Sequence, residues 1–214
     1  MGVPSRNTIK QLVENGVYHV YNRGVERRLV FIDSDDYKTF LNRLDQLLSN
    51  PDHLNTARRR GRQGGDRLQS YHGKVELLAY CLMPNHFHML LHQIEQDVLP
   101  RFMSSLMTSY SMYFNRKYDR VGALFQGRYK AAFIDNDSYY MHISRYIHLN
   151  PIDISKPYEA YPFSSYSSYM SRSGPEWLNY GKVLEMFASP VAYKLFTAEY
   201  ADSFHVLEEL YTLE

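Results

Sequence analysis

An α+β fold is predicted: a ferredoxin-like sandwich with an antiparallel sheet and helices on one face, followed by a C-terminal helical extension. Three observations predict it. Residues 17–23 and 86–92 carry the aromatic and β-branched alternation of strands, in which successive side chains point to opposite faces. Residues 34–48 and 99–118 repeat apolar side chains at helical spacing. The resulting order of strand, helix, strand, strand, helix, strand is that of a split βαβ arrangement, with helices segregated to one face of the sheet.

The first strand is Val17-Tyr18-His19-Val20-Tyr21-Asn22-Arg23, and Gly24 ends it. Asp33 or Ser34 caps the first helix, whose apolar stripe is Phe40, Leu41, Leu44, Leu47 and Leu48. Residues 49–73 hold Asn50-Pro51, Gly64-Gly65 and an arginine cluster, the composition of a long exposed loop, partly disordered. Residues 74–83 are apolar enough for a buried central strand; Pro84-Asn85 makes a tight turn, and 86–92 returns antiparallel. Phe102, Met103, Leu106, Tyr110, Tyr113 and Phe114 define the second helix, and Gly122 follows its end. Residues 124–134 read as a fourth strand. Asp135 or Asp137 caps a further helix that ends by Asn150, because Pro151 disfavours a helical residue before it. Residues 151–175 read as an extended arm, and the remainder as two short helices. The chain divides into a main domain, 1–156, with a basic insertion at 49–73, and an extension, 157–214.

Composition narrows the function classes. With 44% hydrophobic and 22% charged residues, the 214-residue chain is globular. No apolar run approaches a membrane span, and Met1-Gly2-Val3-Pro4-Ser5-Arg6 lacks a signal-peptide core. The single cysteine, Cys81, excludes an intramolecular disulfide and a thiolate cluster, so a reducing cytoplasmic location is the default. Net charge is only +1, yet Arg58, Arg59, Arg60, Arg62 and Arg67 form one basic block, and Arg116, Lys117, Arg120, Arg128 and Lys130 form another. Local basic stripes matter more than the total for binding phosphates. Together with 20 tyrosines they suit a single-stranded nucleic acid.

His86-Phe87-His88 is the strongest local signal. On a strand the two imidazoles share a face and can grip one divalent cation, while Phe87 points into a core. In the helix before Pro151, Tyr146 and Asn150 lie four apart on one face, with His142 a turn earlier; His148 points roughly the other way. A tyrosine beside a metal can attack a phosphodiester, and an asparagine oxygen is a reasonable ligand for a hard cation. A water-using metallohydrolase is disfavoured, since Met89, Leu90 and Leu91 after the histidines supply no further ligand.

Four blocks occur in order: Tyr18-His19-Val20-Tyr21-Asn22-Arg23-Gly24, Leu82-Met83-Pro84-Asn85-His86-Phe87-His88-Met89-Leu90, Phe125-Gln126-Gly127-Arg128-Tyr129-Lys130 and Arg145-Tyr146-Ile147-His148-Leu149-Asn150-Pro151. Together they resemble the single-tyrosine transposases with a histidine–hydrophobe–histidine motif, and most the REP-associated branch. The resemblance implies that His86, His88 and Asn150 hold Mg2+ or Mn2+ and that Tyr146 is the nucleophile. It implies a single-stranded DNA substrate beside a hairpin, a covalent 5′-phosphotyrosine, and no nucleotide cofactor. Arg23, Arg58, Arg59, Arg60, Arg128, Lys130 and Arg145 are the candidate DNA contacts. A monomer is favoured over a dimer, with no membrane partner, in the cytoplasm with the nucleoid. The alternative is a single-stranded or hairpin DNA-binding protein whose catalysis is vestigial.

Overall fold

A computed structural model describes residues 12–52, 69–201 and 204. The elements are β1 (Gly16–Arg23), α1 (Ser34–Leu48), β2 (Val75–Met83), β3 (His86–Gln93), α2 (Val98–Lys117), β4 (Lys130–Ile134) and α3 (Asp137–Leu149). Three short helices follow: α4 (Tyr166–Ser171), α5 (Gly181–Leu184) and α6 (Pro190–Ala198). The four strands form one antiparallel sheet in the order β2-β3-β1-β4. The α+β class, the antiparallel sheet and the C-terminal helices are as expected.

Local chemistry explains the helix ends. Asp33 accepts from the amides of Asp35 and Asp36, while Asp36 reaches back to the Asp33 amide, closing a capping box on α1. Asp36 is buried, and Tyr118 Oη and Lys117 Nζ, each at 2.8 Å, tie it to the end of α2. At α3 the cap is Asn136, between the two aspartates expected, and its oxygen accepts from the Tyr139 amide at 2.8 Å.

The structure differs from expectation in where layers lie. The helices do not all share one face. α1 and α2 cover Val20, Leu82, Phe87, Met89 and Leu91, whereas α3 and the extension cover Ala79, Cys81, Met83 and Leu90 from the other side. The reason lies in β2, which is buried and largely apolar on both faces, and in Leu90 of β3, which needs cover on the second. A bulge between Leu77 and Ala79 also shifts which β2 side chains face which layer.

β2, expected to be central, is an edge strand. Its outer edge is covered by the extension: the Leu82 amide donates to Phe163 O at 2.9 Å, Ser165 N to Tyr80 O at 3.0 Å, and Asn179 N to Leu77 O at 2.8 Å. Tyr161 and Tyr169 hydroxyls donate to the carbonyls of Leu82 and Leu78, each at 2.7 Å. The unpaired backbone that makes an edge hazardous is thereby satisfied. β4 is shorter than expected, because 124–129 forms a loop with Gly127 at φ 76°. Within the described end of the 49–73 segment Gln69, His72 and Gly73 are exposed, but Tyr71 is buried, its amide donates to Leu47 O at 2.7 Å, and its hydroxyl meets Ser105 Oγ at 2.9 Å. Among the described residues, no helix is long and apolar enough to cross a membrane.

Candidate active site

The site is assembled where the start of β3 meets the end of α3. The Pro84 carbonyl accepts from the amides of Val30 (2.8 Å) and Phe31 (3.0 Å), and Asn85 O accepts from Gly24 N (2.8 Å), so the turn before His86 is pinned. Gly24 is required there, since a Cβ would lie 2.2 Å from the Arg28 carbonyl oxygen. In the sheet register Arg23 stands opposite His86 and Tyr21 opposite His88, with Lys130 opposite Tyr21 on the other side. Phe87 points into the apolar core, as alternation predicts.

The two histidine rings are perpendicular, with centroids 5.1 Å apart. His86 Nδ1 lies 2.6 Å from Asn85 Oδ1, and Asn85 Nδ2 donates to Arg27 O at 3.4 Å, so the Asn85 oxygen is the atom turned to the ring. An amide oxygen only accepts, so Nδ1 carries a hydrogen, and in the neutral ring the lone pair is on Nε2. That lone pair faces Asn150 Oδ1 at 3.4 Å. The Asn150 amide is likewise oriented, because its Nδ2 donates to Tyr146 O at 2.9 Å. Two acceptors thus face each other with their donors committed elsewhere. Adjacent ligands of an octahedral cation with bonds of about 2.1 Å sit about 3 Å apart, close to this spacing. The donor set fits a divalent cation.

His88 is buried, and burial, with His86, His19 and Arg23 adding to it, holds its pKa well below the usual value. His19 is likewise pushed down, to about 3, by burial. Both rings are neutral near pH 7, the form that binds metal. His88 Nδ1 lies 2.8 Å from His19 Nε2.

Tyr146 is 1% exposed. Its ring stands edge-on to His88 at 5.3 Å and to His19 at 5.8 Å, and stacks on Phe204 at 5.6 Å and 11°. A cleft of about 30 Å³ opens beside the histidines, lined by Tyr21, Arg23, Gln126 and Lys130 among others. That is space for an ion with little accompanying water.

The structure therefore brings His86, His88, Asn150 and Tyr146 together, with Arg23 and Lys130 at the cleft. Arg128 is exposed on a neighbouring groove beside Met103, Met107 and Tyr129. Arg58, Arg59 and Arg60 lie outside the described residues. Arg145 is a correction: it is 0% exposed and does not reach DNA in this arrangement. Its guanidinium sits 3.3 Å from the Tyr200 ring centroid and 4.2 Å from that of Phe196, and Nη1 donates to Phe196 O at 3.3 Å. It lies on the side of α3 that faces α6, and an aromatic sandwich compensates its burial. His142 contacts Arg145 and also faces that side, with its pKa lowered by burial and then by Arg145. His148 uses both nitrogens, to Tyr193 Oη and Ser165 Oγ, each at 2.7 Å. Sequence reasoning missed His19, Asn85 and Phe204. The alternation of β1, which puts His19 and Tyr21 on one face, was the available signal for the first.

Comparison with known proteins places these observations in context. Residues 68–150 match the family model described as IS200-like transposase, a stretch that begins before β2, ends at Asn150 and contains all four converging residues. No curated protein matches. Among solved structures, that of a REP-associated tyrosine transposase bound to a REP hairpin is similar at 17% identity and a TM-score of 0.53, covering 78% of this chain and 87% of that one. A transposase-like protein from Deinococcus radiodurans R1 matches at 18% identity and a TM-score of 0.38, covering 65% and 94%. The resemblance read from the sequence is thus borne out over 68–150 by the family model and, in fold, by the first of these structures.

Proposed function

We propose that this chain is a metal-dependent single-stranded DNA nicking and joining enzyme, a transposase that acts beside DNA hairpins through a covalent 5′-phosphotyrosine on Tyr146. The observation that carries the reading is the convergence of His86 Nε2, Asn150 Oδ1 and His88 beside the Tyr146 ring. The family match and the hairpin bound by the structural neighbour support it.

His86, His88 and Asn150 would hold Mg2+ or Mn2+, which supplies Lewis-acid polarisation of the phosphate oxygens. Arg23 and Lys130, at the rim of the cleft, contact the strand's phosphates, and their charge also offsets that developing in the transition state. Tyr146 Oη gives up its proton and bonds to the scissile phosphorus. The bond from phosphorus to the 3′-oxygen breaks, and that oxygen takes a proton to leave a free 3′-hydroxyl. A 3′-hydroxyl attacking the phosphotyrosine runs the same steps backwards and rejoins a strand. The bond energy is retained in the intermediate, so no nucleotide cofactor is needed.

Residues 1–156 form the domain that carries this chemistry and 157–214 its extension, from which Phe204 stacks on Tyr146. Because Tyr146 lies under Phe204, that aromatic ring has to move before a phosphodiester reaches the nucleophile. The same burial is the one observation that favours the second reading, a DNA-binding protein with vestigial catalysis. We place the protein in the cytoplasm with the nucleoid, acting as a monomer in preference to a dimer.

Labelled single-stranded oligonucleotides carrying hairpins from the gene's own flanks separate the two readings. With Mg2+ or Mn2+ we expect an SDS-resistant protein–DNA adduct that disappears in Tyr146→Phe. Tight binding with neither adduct nor cleavage under either metal would transfer the conclusion to the second reading.

A further inference from the structure

We infer that His19 is the positioning residue for His88: its Nε2 accepts a hydrogen bond from His88 Nδ1 and so presents His88 Nε2, bare of hydrogen, as a metal-binding nitrogen. This rests on the metal role proposed above for His88. The two rings stack at 5.1 Å and 18°, and the contact runs from His19 Nε2 to His88 Nδ1 at 2.8 Å. Two neutral imidazoles in such contact share one proton, and its owner decides whether His88 can ligate. If His19 Nε2 donates, His88 Nδ1 is the acceptor, its hydrogen moves to Nε2, and the nitrogen left for a cation is blocked. If His88 Nδ1 donates, Nε2 carries only a lone pair.

One further observation selects the second arrangement, and another shows that an imidazole at position 19 carries a cost. His86 is held in the same way, with Nδ1 on the oxygen of Asn85 and Nε2 turned to Asn150. Both histidines of the motif would then be oriented through Nδ1 by a neighbour that accepts, which is the usual device for metal-binding imidazoles. His19 also pays a cost that packing alone does not explain. It is 0% exposed, and its Nδ1 has no hydrogen-bond partner. A buried polar atom left unpaired calls for a functional reason, since an apolar side chain of similar size would fill the position without it. In the arrangement that frees His88 Nε2, the hydrogen of His19 resides on that sealed Nδ1. That atom is without a partner in either arrangement, so it marks the cost of placing an imidazole here and not which nitrogen carries the hydrogen.

The test is a Mn2+ titration of the full-length unmodified protein, His19→Leu and His19→Gln, followed by paramagnetic resonance of the remaining aqueous ion, with urea unfolding alongside. His19→Leu removes the acceptor, and we expect Mn2+ affinity to fall by about 10–100-fold without loss of resistance to urea. His19→Gln returns an acceptor oxygen and most of the affinity. That split distinguishes positioning from a merely structural role, which would move stability and leave Gln no better than Leu. Should His19→Leu fail to fold, 15N-histidine spectra of the unmodified protein saturated with diamagnetic Mg2+ decide the matter, with hydrogen expected on Nδ1 of His88. Unchanged Mn2+ affinity in His19→Leu, or hydrogen on Nε2 of His88, overturns the role of His19 alone. Absence of Mn2+ binding by the unmodified protein overturns the metal site itself and His19 with it.

Discussion

The two faces of the sheet are built from different chemistry. Beneath α1 and α2 the buried side chains are Phe40, Leu44, Leu47, Phe87, Met89, Phe102 and Leu106, apolar and closely packed. Between the sheet, α3 and the extension, His19, His88, His148, Ser144 and Ser165 are buried among tyrosines and a smaller apolar set that includes Leu78, Leu90, Ile143 and Ile147, with Arg145 buried behind α3. The first face stabilises by removing apolar area from water. The second buries groups that must each find a partner, and it is the face that holds the converging histidines, asparagine and tyrosine. Stability and chemistry are thereby divided between the layers, and β3 belongs to both through alternate residues.

Neighbours on β3 offer the sharpest way to break that contrast. Phe87→Ala should cost about 3–5 kcal/mol of stability by urea unfolding, while the protein that remains folded keeps its Mn2+ affinity. His88→Ala should reverse the pattern, with metal-dependent nicking down at least about 100-fold and a smaller change in stability. Equal effects of the two substitutions on both readouts would erase the distinction between faces.

The polar face should also make stability depend on acid. Burial lowers the pKa of His148 from 6.5 to about 3. Below pH 6.5 the unfolded chain takes up a proton at this residue that the folded chain refuses. Stability therefore falls as pH falls, by up to about 1.4 kcal/mol per unit, and this contribution levels off near pH 3. His148→Gln should make the urea stability curve shallower by one proton across that window. An unchanged slope would remove His148 from the account.

Smaller effects are expected where the extension meets the site and at its rim. Phe204→Ala uncovers Tyr146 and should raise the rate of adduct formation several-fold, measured by quenched time courses; a slower reaction would mean that Phe204 assists the nucleophile. Replacing Arg128 and Lys130 together with alanine should reduce the salt slope of single-strand binding by about 1.4, from about 0.7 per phosphate contact. A slope unaltered by the loss of both charges would place the strand elsewhere.

What the sequence made legible follows from what periodicity encodes. Alternation placed His86 and His88 on one side of β3 and Phe87 on the other, and helical spacing put Tyr146 near Asn150. Neither pattern says which layer a helix occupies, so α3 was expected beside α1 and α2, although Leu90 and Cys81 needed cover on the opposite face. β2 looked central because it is apolar throughout; the chain that covers its edge, around Ser164 and Leu178, forms only isolated bridges and has no strand pattern of its own. Arg145 was among the candidate DNA contacts, and nothing in the sequence marks it as buried. Only the docking of Phe196 and Tyr200 turns it into a buried structural group. His19 required the β1–β3 register, in which Tyr21 stands opposite His88, before its position behind the metal motif could be read.

The central claim is that one tyrosine among 20, on the polar face, performs the chemistry. Its most direct test is to trap the DNA adduct formed with Mn2+ on a hairpin-bearing strand, digest both partners, and identify the modified peptide by mass spectrometry. The account predicts a nucleotide joined through its 5′-phosphate to Tyr146. A nucleotide on any other tyrosine, or linked through its 3′-phosphate, would contradict it.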